Sequence, residues 1–147
     1  MPKLGELQRL YEQVRQEEQN YWKELRETLR DVLDGLAQAL GLDPKLPLFL
    51  HLGVINSDGK FCRASIDQLT GQDLYLKFAL QVVLSQEASL IPPNVIETEW
   101  SLRDTRDGME LIHTGDRVTS FEDSAAAAMY VTQVIEKKIA SFSPYNR

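Results

Sequence analysis

The amino-acid sequence predicts a single α+β domain: an antiparallel sheet of about five strands, with a long N-terminal helix and a shorter C-terminal helix packed on it. Three observations carry this. Apolar residues recur at helical spacing over residues 3–40 and again after residue 120. Between those stretches the apolar spacing falls to two, as in strands with one buried face. Clusters of Gly, Asn, Asp and Pro separate the alternating runs, and these residues supply turn chemistry.

The first helix organises the chain. Its apolar stripe is Leu4, Leu7, Tyr11, Val14, Trp22, Leu25, Leu29, Leu33, Leu36 and Leu40, broken only by Glu18. Glu6, Arg9, Glu12, Gln16, Lys23, Arg30 and Asp34 occupy the other face. At about 1.5 Å per residue the stretch 3–40 reaches roughly 55 Å. A compact chain of 147 residues has a radius of gyration of only about 15 Å. A continuous helix therefore overhangs its own domain, and its stripe needs a cover. A second copy is one cover. A bend at Gln16–Asn20, folding the arm into a hairpin, is another. That segment contains no Gly or Pro to cause a kink, so the expectation is one helix and a homodimer. The alternative is a helix wrapped on its own sheet with its first two turns frayed. Leu4, Leu7, Tyr11 and Val14 follow the 3.5-residue step of a coiled coil and are the candidate dimerisation residues. Later positions drift toward 3.6, which confines the helix–helix seam to the N-terminal end. Residues 1–42 thus form an arm on a core spanning 46–142.

Gly41 and Pro44 end the helix, and Pro44 and Pro47 make a linker. Leu46, Leu48, Leu50, Leu52 and Val54 alternate as a strand, and Asn56-Ser57-Asp58-Gly59 turns the chain. A second strand is expected over about 60–68, with Cys62, Ala64 and Ile66 on one side. Residues 72–89 fit two patterns. Leu74, Leu76, Phe78, Leu80, Val82 and Leu84 alternate as a strand, while Asp73, Lys77, Gln81, Ser85 and Ser89 make a polar helical stripe. The strand is favoured because both flanks read as sheet. After a loop at Pro92-Pro93, strands follow at Val95–Arg103 and Met109–Thr114, with a short one at Val118-Thr119. The last helix is expected to be capped by Ser120, with a buried stripe of Ala125, Ala128, Val131, Ile135, Ile139 and Phe142. Its alanine run, 125–128, allows close approach, most simply to the sheet.

A net charge of −6 disfavours general binding to a nucleic-acid backbone. A single cysteine, Cys62, forbids an internal disulfide and fits a reducing compartment. The N-terminus lacks the apolar core of a signal peptide and no apolar run reaches membrane-spanning length, so a cytoplasmic protein is expected. No phosphate-binding glycine motif, paired cysteine or HxxxH spacing occurs, so neither cofactor nor metal is expected. His51 and Cys62 lie on neighbouring strands, but Cys62 falls among alternating apolar positions and reads as a small buried residue. An enzyme is therefore not expected. Arg63, Arg103, Arg106 and Arg117 lie on or beside strands and turns. Arg63 and Arg103 with Trp100 are the candidate set for an anionic ligand or nucleotide. Phe49, Phe61, Tyr75 and Val83 fall opposite the main apolar face, where they form a partner patch if only one side of the sheet is covered. The acidic helix–strands–helix layout is similar in outline to bacterial secretion chaperones, although no residue motif carries the likeness. The leading expectation is a non-enzymatic, homodimeric protein-binding, adaptor or chaperone-like protein. The alternative is a protein that binds or sequesters a small anionic ligand.

Overall fold

The computed structural model describes residues 2–42, 49–85 and 94–146. Its first element, α1, is one unbroken helix over Leu4–Ala39. It passes straight through the segment 16–20, where Gln13 donates to Glu17 and Gln16 to Asn20 across single turns. Gly41, at φ 71°, ends it. The positive φ turns the N–H of Leu42 back to the carbonyl of Ala37 and that of Gly41 to Gln38, which satisfies the last open carbonyls. Pro44, Pro47, Leu46 and Leu48 lie outside the described residues, as do Leu90, Pro92 and Pro93.

Among the described residues seven strands make one antiparallel sheet: β1 (Leu50–Ile55), β2 (Phe61–Arg63), β3 (Gly71–Gln72), β4 (Tyr75–Val83), β5 (Val95–Thr105), β6 (Gly108–His113) and β7 (Thr119–Phe121). The order is β2-β1-β4-β5-β6-β7, with β3 joined to β4. The strand not anticipated is the short β3, and the short final strand, β7, is displaced to Thr119–Phe121 from the expected 118–119. Residues 75–83 are strand and not helix, as their alternation indicates. The second strand stops at Arg63 rather than near residue 68. There Ser65 and Gln68 form a reciprocal capping box around a 3-10 turn at Ile66–Gln68. Such local side-chain bonds compete with the sheet ladder. Asp73 and Leu74 both have positive φ, 53° and 69°, and close the β3–β4 hairpin.

The second helix, α2, spans Ser124–Ala140. Its N-cap is Asp123, whose Oδ1 accepts the N–H of Ala126 at 2.8 Å; Ser120 lies on β7 instead. Ala127, Ala128, Val131 and Ile135 are buried, whereas Ala125 and Ile139 are exposed. The alanine run approaches α1 rather than the sheet. A Cβ at Gly35 would sit 3.3 Å from Cβ of Ala128.

Both helices cover the same side of the sheet. Thr28 of α1 reaches Asp104 of β5, and Tyr130 of α2 stacks edge-on to Trp100, two residues of β5 with the same parity. Between them lies the core: Leu25, Leu29, Val32 and Leu36 against Leu76, Phe78, Leu80, Trp100, Leu102 and Leu111. The other side carries no helix among the described residues. Among its described residues only Gly53 and Ala79 are buried; Phe49, Phe61, Tyr75 and Val83 of the expected patch are half-buried, and polar contacts bridge it: Gln81 to Glu97 at 3.0 Å and Tyr75 to Glu110 at 3.0 Å.

Candidate functional site

The body of the domain takes hold of α1 only from residue 21. Tyr21 donates its hydroxyl to the carbonyl of Leu74 at 2.6 Å. The indole of Trp22 lies on Gly71, where any Cβ would collide with it. N-terminal to these anchors every described residue of α1 is exposed. The arm, residues 4–20, is thus about 25 Å of helix without tertiary support. Leu4 is 69% exposed, Leu7 49%, Leu10 55%, Tyr11 64% and Val14 52%, although large apolar side chains in such a row normally find cover. The four candidate dimerisation residues are therefore grouped, on one stretch, and in the open. Leu10 belongs with them and was not part of the sequence stripe. Its place, one residue before Tyr11, is the signal that was available.

A second feature is a groove of about 480 Å³ between α1 and the β1–β2 edge, within the range of small-molecule pockets. Leu33, Leu42, Leu50, Leu52 and Ile66 give it apolar walls, and Arg30, Asp34, His51 and Arg63 add charged or polar groups. An Nη of Arg63 lies 3.1 Å from Nε2 of His51. The guanidinium only donates, so Nε2 accepts and the ring proton sits on Nδ1. Burial, then the Arg63 charge, push the His51 pKa below its ordinary value. Among the described residues no carboxylate forms an ion pair with Arg63.

The three candidate ligand residues are not brought together. Arg63 is on β2, at the groove. Arg103 is on β5, three strands away; the register gives it the same side of the sheet as Arg63, and its guanidinium lies 5.9 Å from the centre of the Tyr75 ring. Trp100 is fully buried, with its Nε1–H donated to Thr98 Oγ1 at 2.7 Å, and offers no ligand surface. Its alternation with Ile96, Thr98 and Leu102 already marked it as core.

Cys62 corrects another expectation. It is exposed, on a short edge strand, and receives a hydrogen bond from Asn56 Nδ2 at 3.4 Å. It points to the side of β2 opposite Arg63, so Arg63 and not Cys62 is the neighbour of His51. His113 pairs with Asp116 at 2.8 Å. Among the described residues no three His, Cys, Asp or Glu side chains converge on a metal position, and no helix is long and apolar enough to cross a membrane. Comparison with protein-family models, curated proteins and solved structures finds no match to the chain.

Proposed function

We propose that the protein is a non-enzymatic binding protein, an adaptor or chaperone-like module, that acts as a homodimer through its helical arm. The observation that carries this reading is the row Leu4, Leu7, Leu10, Tyr11 and Val14, exposed on a helix that stands clear of its own core. Burying each of these side chains is worth roughly 1.5–3 kcal/mol, and a single chain leaves that energy unused. The dimer holds the arms rigid and leaves the helix-free side of each sheet open to a further protein. The test is a double variant, Leu7→Glu with Tyr11→Glu, studied by sedimentation. Both positions are exposed, so the fold should persist while the dimer is lost. A variant that sediments like the parent overturns the reading.

A second reading is favoured by the groove at Arg63. A groove with apolar walls and Arg30 and Arg63 in its lining suits a small anion with an apolar part. A ligand that occupies it raises the melting temperature by mass action. Screening nucleotides and anionic metabolites with the parent and Arg63→Ala chains checks this; shifts of equal size in both chains sink it.

A further inference from the structure

The arm carries information about how its partner lies. We infer that the second copy meets it antiparallel, with Leu4 level with Val14 of the second copy and Leu7 level with Tyr11 of the second copy. This rests on the dimer reading above and adds orientation and register to it.

Steric fit favours this orientation. At 3.6 residues per turn, positions eighteen apart lie five full turns apart and share a direction. Leu4 therefore points as Trp22 does, Leu7 as Leu25, Tyr11 as Leu29 and Val14 as Val32. The second member of each pair faces the chain's own sheet. The seam of the arm and the body of the domain consequently lie on the same side of α1. A parallel partner helix on that seam would run, beyond residue 20, into the β3–β4 hairpin, which already holds Tyr21 and Trp22. An antiparallel partner leads away from the body, and its own domain sits beyond the far end of the arm.

The charges on the arm favour it as well. In a parallel pair Glu18 of one chain would meet Glu18 of the other on the seam side, and like charges there are destabilising. The flanks would set Lys3 beside Gln8 and Leu10 beside Arg15, with no ion pair formed. In the antiparallel register the two Glu18 residues are about 27 Å apart along the axis. Lys3 comes within one turn of Glu17 of the second copy, twice by symmetry. Leu10 meets Leu10 of the second copy near the two-fold axis. An isologous contact requires this reciprocity, and it gives a use to Leu10, whose equivalent five turns on is Thr28 rather than a core residue.

The experiment places one nitroxide label per chain on Lys23→Cys, in a Cys62→Ser background; both sites are exposed. Dipolar spectroscopy then reads the label-to-label distance, beside the molar mass of the labelled protein. The antiparallel register predicts about 40 Å along the axis. A dimer with labels under about 20 Å apart overturns the orientation and leaves the dimer standing. A single-chain mass with no dipolar coupling overturns both. A charge swap gives an independent reading. Lys3→Glu should weaken association roughly three- to tenfold, and adding Glu17→Lys should restore it. Failure of that restoration contradicts the register.

Discussion

Trp22 keeps its place because Gly71 has no side chain. A Cβ there would come within 2.2 Å of the indole, so the ring would have to shift. Gly71→Ala should therefore cost about 1–3 kcal/mol, in the manner of other overpacked sites. It should also change tryptophan fluorescence, since the ring must leave the hairpin; an unchanged spectrum and denaturation midpoint would count against this anchor. Asp104 makes a second residue-level case. Burial raises its pKa, the bond from the Thr28 hydroxyl pulls it back, and the charge of Glu24 raises it again. A carboxyl whose folded pKa lies above its unfolded value binds its proton more tightly when folded. The ionised form then costs stability at neutral pH, and the cost vanishes once the pH falls well below 3.8. Asp104→Asn should melt higher than the parent at pH 7 and show no such advantage in strong acid. Equal or lower melting at pH 7 contradicts the assignment.

At the scale of the elements, α1 is two helices in physical terms. Residues 21–39 are held by the core, and residues 4–20 are held by nothing in a single chain. Most helical stability in proteins comes from packing an apolar face, and the arm has no such packing in a single chain, so an uncovered arm should fray from its N-terminus. Circular dichroism on dilution through the dissociation range should show helical signal lost. The limit is near one third, the arm's share of the helical residues in α1 and α2. A signal independent of concentration, in a protein that does dissociate, contradicts this. Much of this layer was legible in the sequence. The helical spacing of the apolar stripe gave the helix, and the sheet-like flanks decided for the strand where Leu74 to Leu84 alternate against a helical polar stripe. What escaped was decided by contacts the pattern does not carry. Asp123 caps α2 because β7 takes Ser120 into a ladder. β2 ends early because Ser65 and Gln68 bond to each other's backbone. Ala128 of α2 answers Gly35 of α1, a match between residues 93 positions apart. The arginine–tryptophan site failed for a reason of parity: on one strand, Trp100 and Arg103 are an odd number of residues apart and must face opposite sides.

The whole molecule is one-sided. Both helices and the apolar core lie on one side of the sheet, and the other carries Gln, Glu, Tyr and Arg contacts beside half-buried Ile55, Phe61, Val83 and Ile112, under a net charge of −6. The apolar surface that remains unaccounted for is concentrated on the arm. Its cover by a second copy is the central claim, and the most direct measurement is molar mass by light scattering as the concentration of the full chain is raised. The account predicts convergence on twice the 16.8 kDa of one chain, with the chain lacking residues 1–18 folded and staying at a single-chain mass. A full-length protein that holds 16.8 kDa at high concentration would contradict it.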